Sequence, residues 1–181
     1  LHDIGNHPIE LKVRDETGNA ICLAQSTLHV SGNNRSIGDA TTLLLIGDSL
    51  TSAGGYSRRL MELCDSERSL HLKLIGSQSF KYDAGLGEAQ HEGHPGWKAQ
   101  SFMTPPVPAT PAQDSPFFNP VRDRDGCPRF DLVPYFQKIN EGRPPNAVVT
   151  FLGTNDVFLE TDESIEGCLD TMLVYYSAMF R

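Results

Sequence analysis

The sequence predicts an α/β fold, with strands paired in parallel and each crossover covered by a helix. Two runs of strand formers, Thr42-Leu43-Leu44-Leu45-Ile46 and Ala147-Val148-Val149-Thr150-Phe151-Leu152, alternate with stretches of helical spacing. Each run closes on a glycine-led polar motif, Gly47-Asp48-Ser49-Leu50 after the first and Gly153-Thr154-Asn155-Asp156 after the second. The carboxyl ends of buried strands are where an open α/β sheet places its active site.

Along the chain, Ile9-Glu10-Leu11-Lys12-Val13 alternates apolar and polar, Asp15-Glu16-Thr17-Gly18-Asn19 turns, and Ala20 to Val30 returns. Residues 8–30 therefore read as a small accessory β hairpin, which bounds a first segment at 1–38 and a core at 39–181. In the core we expect strands at 42–47, 70–77 and 147–152 and helices near 54–65, 131–140 and 162–180. Tyr56, Leu60, Leu63 and Cys64 recur at helical spacing, as do Ile165, Leu169, Met172, Tyr176 and Met179. Asp131 and Asp162-Glu163 stand at helix starts, where free amides favour an acceptor or a negative charge.

From Thr104 to Pro128 the chain is a long irregular loop, with six prolines between Pro105 and Pro120 denying it backbone donors. Phe117-Phe118 within it are too apolar for a solvated linker and are expected to pack on the body or line the cleft. Asn34-Arg35-Ser36 fits an N-glycosylation acceptor, and Asp123-Arg124-Asp125-Gly126 reads as a turn, since the later ligands of a calcium loop are absent.

At 181 residues, 39% of them apolar, the chain can bury one full core. Its net charge of −8 and scattered Lys and Arg exclude a phosphate-backbone partner, so no nucleic-acid role is expected. No apolar run is long enough to span a membrane, and the mean hydropathy is −0.31. The chain opens on Leu1 rather than Met, so an upstream segment is expected to have been removed, and the terminus does not indicate a compartment. Cys22, Cys64, Cys127 and Cys168 form no C-x-x-C pair, which weakens zinc and thioredoxin-type readings; Cys64 and Cys168 read as small core residues on helix faces.

The residue types of the two motifs suit hydrolysis. Ser49, at a strand-to-helix turn, can attack a carbonyl while its own amide faces the same spot, and the Asn155 amide can hold the oxygen that becomes negative. This is not the G-x-S-x-G elbow, because Thr51 takes the place of the second glycine. His91 and His94, with Glu88, invite a metal reading, but they stand in a Gly/Pro-rich stretch without a third ligand cluster, and structural support of that loop is favoured. Neither metal nor cofactor is expected.

Gly47-Asp48-Ser49-Leu50, His91-Glu92-Gly93-His94-Pro95-Gly96-Trp97 and Gly153-Thr154-Asn155-Asp156 resemble, in that order, blocks I, II and III of the SGNH (GDSL) esterases and lipases. The resemblance covers 42–181 and implies a flavodoxin-like three-layer α/β/α fold around a parallel sheet. It implies Ser49 as nucleophile and an oxyanion hole made by the Ser49 amide, the Gly96 amide (with Gly93 as fallback) and the Asn155 side chain. Asp48, His94, Trp97 and Asp156 would line the substrate, an acyl ester and foremost an acetylated carbohydrate. The alternative is a non-catalytic carbohydrate- or partner-binding module on the same fold.

One block is missing. The family's Asp-x-x-His, which supplies the general base, does not occur in this sequence, and three core strands are read where the family's sheet has five. We therefore expect a following segment or a separate polypeptide to supply two strands and the Asp-x-x-His, and strand 147–152 to be an open edge without them.

Overall fold

The structure, a computed structural model, describes residues 4–30, 40–66, 71–82, 87–104, 115–122 and 128–180, with 119–122 and 128 described by backbone alone. The glycosylation acceptor at Asn34, the turn at 123–126, Cys127 and most of the proline run lie outside the described residues. The chain divides into two compact units, Leu1–Gly38 and Asp39–Arg181.

The first unit is an antiparallel ribbon of β1 (Gly5–Arg14) and β2 (Ala20–Val30). Its turn is tied by Asp15, whose Oδ1 accepts from the Thr17 amide at 2.9 Å and the Asn19 amide at 2.8 Å. Ile9, Leu11 and Val13 pair with Ser26, Ala24 and Cys22, giving one apolar face; Glu10 and Lys12 sit on the other and form an ion pair. The alternation in the sequence is the cause of this split.

The second unit is α/β. At its centre β3 (Thr41–Gly47) pairs in parallel with β4 (Leu72–Ile75) along Thr41–Leu44 and with β9 (Ala147–Phe151) along Leu43–Gly47. Beyond β4, the last residues of β3 pair instead with β6 (Gly87–Gly93), Ile46 beside Glu92 and Gly47 beside Gly93. β5 (Gln78–Tyr82) returns along β6 antiparallel, so the sheet is mixed rather than wholly parallel. A short connection between adjacent strands permits only the antiparallel arrangement, whereas a parallel pair needs a crossover.

Gly76 explains why β4 stops early. A Cβ there would lie 2.1 Å from the His91 carbonyl oxygen, so only glycine lets β6 pass and take over the edge of β3. The expected strand 70–77 is thus four residues long, and His91 stands on a strand rather than in the loop the sequence suggested.

Around the sheet stand α1 (Ser49–Ser52), α2 (Gly55–Ser66), α3 (Ala99–Met103), α4 (Leu132–Asn140), α5 (Thr154–Val157) and α6 (Ile165–Met179). The two-residue period of β3 divides the core between the faces: Leu44 and Ile46 pack with Ile75, Trp97, Phe102, Phe117, Tyr135 and Met179, and Leu45 packs with Met61, Leu74, Phe80 and Ala89. Asp131 caps α4, accepting from the Val133 amide at 3.0 Å. On α2 the inward face is only partly the one its apolar residues suggest: Cys64 is buried and Leu60 packs on the core, as expected. Ser57, Met61 and Cys64 are buried, while Tyr56 and Leu63 are 37% and 46% exposed. On α6, Leu169 likewise stays outside while Met172 and Tyr176 face in. Phe117 is 1% exposed and meets Tyr135 edge-on at 5.0 Å, so it packs in the core. Its neighbour Phe118 opens a short ribbon, β7 (Phe118–Arg122) with β8 (Pro128–Phe130).

Candidate active site

The pairings of β3 with β6 and β9 bring three carboxyl ends side by side, and the segments that follow them carry Ser49, His94–Trp97 and Gly153–Asp156. Glycine makes the approach possible. A Cβ on Gly47 would fall 1.8 Å from Thr51 Oγ1 and 2.9 Å from the Phe151 carbonyl oxygen; one on Gly93 would fall 2.6 Å from the Ser52 nitrogen. Gly153 has φ 119°, a conformation that a side chain disfavours.

Ser49 opens α1 and is exposed. Asp48 caps the helix, its Oδ1 accepting from the Leu50 amide at 2.9 Å. As the first helical residue, Ser49 has no intrahelical acceptor for its own amide. Among the described residues, neither that amide nor the Ser49 hydroxyl makes a hydrogen bond. No histidine in the described set bonds to Ser49.

His94-Pro95-Gly96-Trp97 is a type II turn. The Trp97 amide donates to the His94 carbonyl at 3.2 Å, and Gly96 has φ 79°. The turn is fixed to the strand below, because the His94 amide donates to the Gly47 carbonyl at 2.9 Å. This geometry separates the two candidate oxyanion glycines. The Gly93 amide is occupied, donating to His91 Nδ1 at 2.9 Å, whereas the Gly96 amide has no partner among the described residues. His91 itself is 1% exposed, and burial pushes its pKa below the usual imidazole value, in keeping with a neutral ring that accepts at Nδ1.

Asn155 ties the three segments together. Its Nδ2 donates to the Trp97 carbonyl at 3.0 Å and to Asp48 Oδ2 at 3.3 Å. The opposite amide orientation would set its carbonyl oxygen against a carboxylate, so the assignment is forced by charge. Donation to an oxyanion would require Asn155 to give up the longer bond, the one to Asp48.

The remaining sequence candidates are less open. Asp48 is 1% and Asp156 6% exposed; Asp156 accepts from the Ala99 amide at 3.4 Å, and burial raises its pKa. Trp97 is packed between His94, stacked at 4.0 Å, and Phe102, edge-on at 4.7 Å, so its ring belongs to the core. A groove of about 330 Å³ lies beside Asp156, lined by Lys98, Glu160, Cys168 and Met172. Among the described residues, no group of three or more His, Cys, Asp or Glu is placed to hold a metal ion.

Sequence reasoning did not single out Glu92 or Tyr135. Glu92 is fully buried and accepts from the Ser77 amide (2.9 Å) and hydroxyl (2.7 Å), the Tyr135 hydroxyl (2.5 Å) and His94 Nε2 (2.6 Å). A charged residue between His91 and Gly93 in a histidine-rich segment was the available signal, but its donors come from three separate segments. Comparison of the chain with protein-family models, with curated proteins and with solved structures finds no match.

Proposed function

We propose that this protein is a serine ester hydrolase of the SGNH type, acting on small acyl esters and foremost on acetylated carbohydrates. The observation that carries the reading is the pair of amides, Ser49 and Gly96, that have no partner among the described residues and stand on segments that the Asn155 side chain ties to its own. Two such amides, on segments joined through Asn155 and one of them carrying an exposed serine hydroxyl, supply the kinds of group that a nucleophile with an oxyanion hole needs.

In the proposed reaction Ser49 Oγ attacks the ester carbonyl carbon and its proton passes to a base. The oxyanion rests on the Ser49 and Gly96 amides, joined by Asn155 Nδ2 as its bond to Asp48 opens. Collapse expels the alcohol, which takes the proton, and water then hydrolyses the acyl-serine to release the acid. The base is an Asp-x-x-His brought by a following segment or a second polypeptide. In support, β9 forms a sheet edge among the described residues, and its Val148, Val149 and Phe151 are 42%, 44% and 48% exposed. Nearby in sequence, Phe158 and Leu159 are 77% and 86% exposed. Paired strands normally cover such an apolar edge.

A non-catalytic binding module is the second reading, and the occupied Asn155 amide favours it. Hydrolysis of p-nitrophenyl acetate and of an O-acetylated oligosaccharide by the complete protein tests the two. Turnover that Ser49→Ala abolishes in a folded protein supports the esterase; binding of the oligosaccharide without turnover supports the module.

A further inference from the structure

Glu92 is a buried charge that the proposed reaction does not use. Its four donors overcome the burial that would otherwise keep it protonated, and hold its pKa below the usual glutamate value, so it is ionised. Such a carboxylate is costly unless every lone pair is satisfied, and here the satisfaction is complete. Three of the bonds come from Ser77, just past the carboxyl end of β4, and from Tyr135 on α4. The fourth comes from His94, the first residue of the turn that presents Gly96.

His94 transmits that anchor. Its Nε2 is held on Glu92 Oε1 at 2.6 Å, and its ring lies flat on Trp97 at 4.0 Å with an interplanar angle of 18°. Its backbone amide grips Gly47 and its carbonyl closes the turn with the Trp97 amide. Trp97 in turn offers its carbonyl to Asn155. The geometry points to Glu92 as a positioning residue: through His94 and Trp97 it fixes the Gly96 amide and the Asn155 side chain around the place where the oxyanion forms. This assignment rests on the esterase reading for its kinetic consequence, though not for its structural one.

Misplacing a donor by about 1 Å can cost on the order of 100-fold in rate. Glu92→Gln keeps the shape but weakens the hold on His94. In the complete protein it should lower kcat for p-nitrophenyl acetate by on the order of 10- to 100-fold with KM unchanged, because the Gly96 amide acts on the transition state. Tyr135→Phe is the control. It removes another donor from the same carboxylate and leaves the His94 bond, so it should lower the unfolding midpoint while kcat stays within about twofold. If Glu92→Gln fails to fold, His94→Phe, which keeps a ring on Trp97 but cannot bond Glu92, should show the same fall in kcat at constant KM.

Wild-type kcat in Glu92→Gln or His94→Phe overturns the proposal, and so does an equal loss of kcat in Tyr135→Phe. Trp97 is the chain's single tryptophan, so its emission reports the stacked imidazole directly. Glu92→Gln should release His94 and brighten Trp97 relative to Tyr135→Phe; identical emission from the two variants overturns the positioning role. Should the wild-type protein hydrolyse no ester, the esterase reading fails, and the emission still decides whether Glu92 positions His94.

Discussion

The Asp48 carboxylate holds the Asn155 side chain at 3.3 Å, across 107 residues of sequence. The same carboxylate caps α1 through the Leu50 amide, so one buried group orders both the start of the Ser49 helix and the loop after β9. Asp48→Ala should cost about 1–3 kcal/mol, combining the lost cap with an Asn155 donor left unsatisfied. Urea unfolding measures it; a cost within error of zero would mean that the link adds nothing.

Asn155→Ala should lower kcat by about two to three orders of magnitude with little change in KM, since the bond to the oxygen strengthens as charge develops. The structure adds a second effect. Asn155 also braces Asp48 and Trp97, so the variant should lose about 1 kcal/mol of stability as well. A loss confined to KM would assign Asn155 to substrate binding.

Gly47→Ala should be among the most damaging single-methyl changes in the chain. The new carbon would meet Thr51 Oγ1 at 1.8 Å and the Phe151 backbone oxygen at 2.9 Å. Overpacking of this kind costs about 1–3 kcal/mol or more. Adding Thr51→Ala should rescue only part of the loss, because the Phe151 oxygen belongs to β9 and cannot rotate away. Full recovery of the unfolding midpoint in the double variant would contradict that account.

Glu92 sets a pH dependence whose sign follows from its lowered pKa. The carboxylate binds its proton more weakly folded than unfolded, so its contribution is fully present above the ordinary value of 4.5 and is lost as pH falls through the lower folded value. Wild type should therefore lose more stability than Glu92→Gln as pH drops below about 4.5. Parallel stability curves for the two proteins in that range would show that Glu92 is not held ionised.

The strands that locate the site were legible because they are apolar and continuous: β3 and β9 are nearly the runs read from the sequence, and Asp131 announces α4. β5 and β6 were not, because both are largely polar: Gln78–Tyr82 fully buries Phe80 alone, and Gly87–Gly93 buries His91 and Glu92 beside its one apolar residue, Ala89. Glu92 hides for a related reason. An isolated glutamate reads as a surface residue, and nothing local shows that Ser77, His94 and Tyr135 converge on it. On α2, Leu60 and Cys64 face in as their spacing suggests, but Tyr56 bonds Thr51, hydroxyl to hydroxyl at 2.7 Å, and the polar Ser57 is buried instead. The choice between Gly93 and Gly96 likewise needed the structure, since only there does the His91 ring occupy the Gly93 amide.

We propose Ser49 as an activated nucleophile whose oxyanion is held by the amides of Ser49 and Gly96, neither of which has a partner among the described residues. Fluorophosphonate labelling of the complete protein, read by peptide mass spectrometry, tests it most directly, because the reagent needs both an activated serine and a place for the phosphonyl oxygen. The account predicts a single adduct on Ser49 that disappears in folded Ser49→Ala. A complete protein that stays unlabelled, or one labelled equally well after Ser49→Ala, would contradict it.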